Sequence, residues 1–221
     1  MVNNKHAFWQ ALIFTIIIFS IGLIFGYFIE SSRSDKAELA LLKSEVNFLD
    51  EQLRGRIIES SNLSCDIAQK STFTFADRIY QEALKLEKYD AASKFDRETL
   101  NVLHQRYDIL RMMLWFEGKK VQERCNGFHT VVYFFQYDPQ DVEIRAKQAF
   151  FSRLLMDIKN RKGDEILLIP IAANLDLASI QLANANNNIS QIPAILIDSE
   201  RVVDEVVTLE EMERIIFQDN S

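Results

Sequence analysis

The chain has 221 residues, a formal net charge of −7 and a pI near 5.1, which excludes the basic footprint that nucleic-acid binding requires. Only six glycines are present, none in a phosphate-cradling loop, and no G-x-S-x-G nucleophile elbow occurs. The composition therefore points to no catalytic residue, no cofactor, no metal site and no nucleic-acid partner.

After a short tail, residues 1–7, the 22 residues from Phe8 to Ile29 carry no charged side chain. At about 1.5 Å per residue they suffice to cross a bilayer core. The run exceeds the ~7–15 residue core of a cleaved signal and no A-x-A pattern follows it, so a retained single-pass anchor is expected. Trp9 and Tyr27 stand near its two ends, where amphipathic rings suit the interfaces. Lys5 and the α-amine precede the span and Arg33, Lys36 and Lys43 follow it. A bare count of basic residues would place the large domain in the cytoplasm. Two distant cysteines and the glycosylation triplets Asn62-Leu63-Ser64 and Asn188-Ile189-Ser190 lean the other way, toward an extracytoplasmic domain in an oxidising compartment.

Residues 35–125 hold no proline and few glycines and are rich in Leu, Glu, Lys and Gln, the composition of a helical spacer. Leu39, Leu42, Val46, Leu49 and Leu53 recur at three and four, the a/d spacing of a short coiled coil. Gly22 and Gly26, one turn apart in the apolar span, allow a second backbone to approach closely. Together they predict a parallel homodimer; the other reading of the stripe is an amphipathic helix packed on its own domain. A second helix is expected over Phe75–Glu87, a break at Tyr89-Asp90, and a long helix over Ser93–Arg124. Leu100, Leu103, Tyr107, Leu110 and Leu114 form one apolar stripe on the last. Cys65 and Cys125 lie at opposite ends of this region, and a bond between them would close a loop of about sixty residues, worth roughly 4 kcal/mol on the chain-entropy model. Two buried free thiols, or an exposed Cys125 acting alone, are the alternatives.

The chain beyond Gly127 alternates strand and helix. Thr130–Tyr137 is an apolar, β-branched and aromatic run that passes into a helix start, and Ile166–Asp176 opens with the continuous Ile/Leu pattern of a parallel strand buried on both faces. Ile192-Pro193-Ala194-Ile195-Leu196-Ile197-Asp198 follows, then a hairpin over Arg201–Val207 and a final helix, Thr208–Phe217, opened by a Thr208/Glu211 capping box. This order, βαβαββα over residues 128–218, resembles the thioredoxin-like superfamily. The resemblance implies a cis bond before Pro193 and a surface for extended substrates formed by Tyr137, Asp138, Asp141, Ile192 and Pro193.

Where that family carries paired cysteines this chain has Asp138-Pro139-Gln140-Asp141, which cannot form the thiolate that redox exchange requires. Asp138 fits a helix N-cap, Pro139 the first helical position and Asp141 the first turn. The alternative is that Asp138, Asp141 and Glu143 gather a cation or a basic partner. His6, His104 and His129 lie in three different segments, with His104 expected on a helix surface. The expected function is a membrane-anchored, redox-inactive thioredoxin-like module for protein interaction, chaperoning or scaffolding. One alternative is a thiol-disulfide oxidoreductase or redox accessory using Cys65 and Cys125. Another is a structural dimeric membrane spacer.

Overall fold

A computed structural model describes residues 4–61, 63–92 and 97–217. The chain divides into two compact units, Met1–Glu51 and Gln52–Ser221. The first is built from helix α1 (Asn4–Ser60), whose last turns belong to the second unit. Within α1, the 19 residues Phe8–Gly26 have a mean hydropathy of 2.3, and none of them is buried. They are long and apolar enough to cross a membrane. An added Cβ at Gly22 or Gly26 meets nothing within 4 Å. Leu42, Val46 and Leu49 are each half or more exposed; the side chains of Tyr27 and Leu39 lie outside the described residues.

In the second unit α2 (Cys65–Ala92) and α3 (Arg97–Cys125) form an antiparallel hairpin. A disulfide joins the start of α2 to the end of α3, while Asp90 near the end of α2 meets His104 near the start of α3. The expected break at Tyr89-Asp90 is absent, because α2 runs through both residues and Asp90 finds its partner on α3. The third helix begins at Arg97 rather than Ser93, and residues 93–96 lie outside the described residues.

The remainder follows as β1 (His129–Phe135), α4 (Val142–Lys162), β2 (Ile166–Ala172), α5 (Ala178–Asn186), β3 (Ala194–Ile197), β4 (Arg201–Val203) and α6 (Leu209–Phe217). The sheet order is β2-β1-β3-β4, with β1 and β2 parallel and β3 antiparallel to both β1 and β4. The expected mixed α/β architecture is thus present, as one four-stranded mixed sheet. Val131 and Tyr133 of β1 join Phe151, Leu155, Met212 and Ile216 in the core formed with α4 and α6. Alternation sends Phe134 to the other face, where its ring meets Trp115 of α3 at 5.7 Å. Coverage of both faces explains why the strands read as unbroken apolar runs.

Helix α3 also closes the β2 edge. Ala173 N–H bonds Phe135 O at 2.7 Å, so by parity the N–H of Ala172 points away from β1. The Asp108 carboxylate of α3 lies close enough to it for that N–H to favour its charged form. Pro170, at the same outward parity, has no N–H to leave unpaired. Close approach requires Gly118, where a Cβ would stand 2.5 Å from Leu167 Cδ2.

Candidate functional site

The expected surface residues gather at one end of the sheet. The β1/β3 register pairs Phe134 with Ala194, and one further step sets Pro193 opposite Phe135, two residues before Tyr137. The Ile192–Pro193 bond is cis; Pro193 is buried and Ile192 half-buried.

The turn after β1 is held by side chains that bond its backbone. Tyr137 N–H donates to Asn174 Oδ1 at 2.6 Å and Asn174 Nδ2 returns to Tyr137 O at 2.9 Å. Gln148 brackets Gln136 in the same two-way fashion at 2.8 and 3.1 Å. Arg145 Nη2 donates to Pro139 O at 2.8 Å. The helix cap falls three residues later than expected. Asp138 has φ +48°, whereas an N-cap takes extended dihedrals. Asp141 has φ −75° and ψ 127°, and its Oδ1 accepts from Glu143 N at 2.7 Å and Ile144 N at 3.2 Å. Val142, not Pro139, is therefore the first residue of α4, and Glu143 supplies the negative charge of its first turn.

The helical hairpin reaches this turn, a contact that sequence spacing does not indicate. His104 Nε2 lies 3.1 and 3.2 Å from the two Asp90 oxygens. The His104 ring packs against Tyr137 with centroids 4.0 Å apart, and Tyr137 Oη donates to Asp90 Oδ1 at 3.4 Å. Burial and the Asp90 carboxylate raise the Tyr137 phenol above its ordinary range. Arg97 pairs with Asp138 at 3.8 Å across solvent, a contact of small energetic worth. His104 is thus not on an open helix surface; its side chain is only 13% exposed. Tyr137 is walled on one side by the tip of α2 and α3, while Asp138 stays 60% exposed.

The cation reading of Asp138, Asp141 and Glu143 finds no support in the geometry, since Asp141 turns to backbone N–H groups. Among the described residues no group of three or more His, Cys, Asp or Glu side chains could hold a metal ion.

Cys65 and Cys125 are bonded, with Cα atoms 5.4 Å apart, inside the range a bridge requires. They stand at the far end of the hairpin from Asp90. The 25 residues of α2 between Cys65 and Asp90 span roughly 37 Å at 1.5 Å each. The disulfide therefore lies far from the Tyr137 turn.

Two further polar groups had no spacing signal in the sequence. Glu117 of α3 is 4% exposed and takes a bidentate pair from Arg54 at 2.8 and 2.7 Å plus Thr72 Oγ1 at 2.8 Å. The Arg54 guanidinium also lies over the Phe75 ring at 4.3 Å. At the other end of β1, His129 Nδ1 and Asp198 Oδ2 are 2.7 Å apart. Asp198 Oδ1 accepts from Thr130 N at 2.8 Å, beside a cleft of about 630 Å³ lined by Glu123, Glu165 and Glu200. The His129 pair ties the β3–β4 turn to the start of β1; the turn itself is closed by Glu200 N–H donating to Ile197 O at 3.0 Å, and Asp198 and Ser199 in it both take positive φ.

Comparison with protein-family models, with curated proteins and with solved structures gave no match. The functional reading is carried by geometry alone.

Proposed function

We propose that this chain is a membrane-anchored, redox-inactive thioredoxin-like protein whose C-terminal domain holds an extended segment of another protein. The observation that carries the reading is the pairing, at one end of the sheet, of a thiol-free turn at Asp138–Asp141 with the cis Ile192–Pro193 bond. Losing the thiols removes electron transfer but leaves a strand end and a groove that can take a peptide backbone. The element order from β1 to α6 supports the superfamily assignment. Phe8–Gly26 acts as a retained anchor, and the paired cysteines favour an extracytoplasmic domain, because disulfides persist in oxidising compartments.

The oxidoreductase alternative draws on Cys65, which is exposed at the first turn of α2. Its distance from the Tyr137 turn argues for a structural bridge instead. The dimeric spacer is a compatible second role: Leu42, Val46, Leu49 and Leu53 offer exposed apolar surface at coiled-coil spacing, and Gly22 and Gly26 an open face in the span. Insulin reduction by the purified full chain, beside a Cys65→Ser/Cys125→Ser control, tests the central reading. No cysteine-dependent turnover is expected, and turnover that disappears in the control would establish the oxidoreductase.

A further inference from the structure

We propose that Asn188 is an N-glycan acceptor, taking an oligosaccharide on Nδ2. This rests on the extracytoplasmic placement given above. Residues 184–188 contain four asparagines, and only Asn188 has a serine two positions on, the pattern a transferase reads. The fold separates the four. Asn184 Oδ1 is buried, and Asn187 Nδ2 is spent on Ala183 O at 2.8 Å at the end of α5. Asn186 is the last residue of that helix.

Asn188 lies just beyond, with φ +55°, in the loop leading to β3. Over Asn188, Ile189 and Ser190 the exposure runs exposed, buried, exposed. Ile189 is the anchor, and Asn188 and Ser190 on either side of it are exposed. The Asn188 side chain makes no hydrogen bond among the described residues, so a sugar there displaces no internal contact. The paired Cys65 and Cys125 are the independent mark of a compartment in which such triplets are read. In the other triplet Asn62 lies outside the described residues.

The donor is a lipid-phosphate-linked oligosaccharide. Asn188 Nδ2 bonds the anomeric carbon, the bond from that carbon to the phosphate oxygen breaks, the lipid phosphate leaves, and the amide loses one proton to a base of the transferase. Five residues separate Asn188 from Pro193, at most about 18 Å of extended chain. The glycan would therefore stand within reach of the Pro193 end of the sheet.

The test is mass spectrometry of the peptide containing Asn188, from full-length protein purified out of its native membranes. Cysteine alkylation of intact cells, with and without reductant, is run in parallel. Whole hexose or hexosamine units are expected on Asn188, lost in Asn188→Gln and in Ser190→Ala but retained in Ser190→Thr. An unmodified Asn188 with cysteines that label from outside only after reduction overturns the glycan while leaving the binding role intact. Cysteines reachable only in permeabilised cells, with an unmodified Asn188, overturn the outward placement as well.

Discussion

Replacing Glu117 with alanine tests how the C-terminal turns of α1 are held to α2 and α3. The carboxylate is 4% exposed and the Arg54 side chain 16%, so both ends of the pair are largely out of water. Removing one partner of a buried ion pair typically costs about 3–5 kcal/mol, most of it from the charge left behind. Arg54 retains Ser71 Oγ at 3.0 Å and the Phe75 ring, which places the expected loss near the lower bound. The single Thr72 hydroxyl proton can turn from Glu117 to Ala68 O, 3.1 Å away, so its share is small. For a unit of this size about 3 kcal/mol corresponds to a fall in Tm of roughly 6–12 °C. Glu117→Gln keeps the shape and the Thr72 contact and should lose about 1–2 kcal/mol. Thermal and urea unfolding of the detergent-solubilised full chain provide the assay, with Arg54→Met, Glu117→Leu and their double variant completing the cycle. The double variant should recover most of the loss, since apolar replacement of a buried pair is often neutral. Single variants that each lose under about 1 kcal/mol and add without coupling would refute the reasoning.

Three other outcomes follow from the same structure. Cys65→Ser/Cys125→Ser should unfold about 4 kcal/mol more easily than wild type, on the loop-entropy model, read by urea midpoint. Burial raises the Asp108 carboxyl above its ordinary 3.8, against the lowering effect of Arg111. Its proton is therefore held more tightly in the folded state. The stability it contributes is full below the unfolded pKa and is lost as pH rises through the folded one; Asp108→Asn should remove that downward slope from a stability profile taken upward from pH 3. If α1 dimerises in parallel, heptad positions a and d fall on Leu39, Leu42, Val46, Leu49 and Leu53, so Glu45 (g) faces Asp50 (e) of the second copy. Asp50→Lys should then increase crosslinked dimer in mild detergent, and no change or a decrease would contradict the parallel arrangement.

Strand content was legible wherever local pattern and burial coincide. Thr130–Phe134 and Ile166–Ile169 read as buried strands because helices cover both sides of the sheet. Thr208 and Glu211 read as a capping box because both halves lie within four residues, and they bond as expected at 2.9 and 3.2 Å. The start of α4 misled because two aspartates compete for the cap. Pro139 favours the first, but the left-handed backbone at Asp138 delivers the cap to Asp141. Long-range polar contacts left no trace in spacing: Arg54 and Glu117 are 63 residues apart, Asp90 and Tyr137 47. Tyr89-Asp90 looked like a helix break for the same reason. The partners that keep Asp90 in the helical hairpin come from α3 and from the turn after β1.

The central claim is tested most directly by binding of a reduced, carboxymethylated polypeptide to the detergent-solubilised full chain, followed by fluorescence anisotropy for wild type and Ile192→Glu. A charge introduced beside Pro193 should weaken binding at least about tenfold, the equivalent of 1.4 kcal/mol, without lowering Tm by more than a few degrees. Equal affinity in the two proteins, or no binding by wild type at any accessible concentration, would contradict a peptide-holding surface at this end of the sheet.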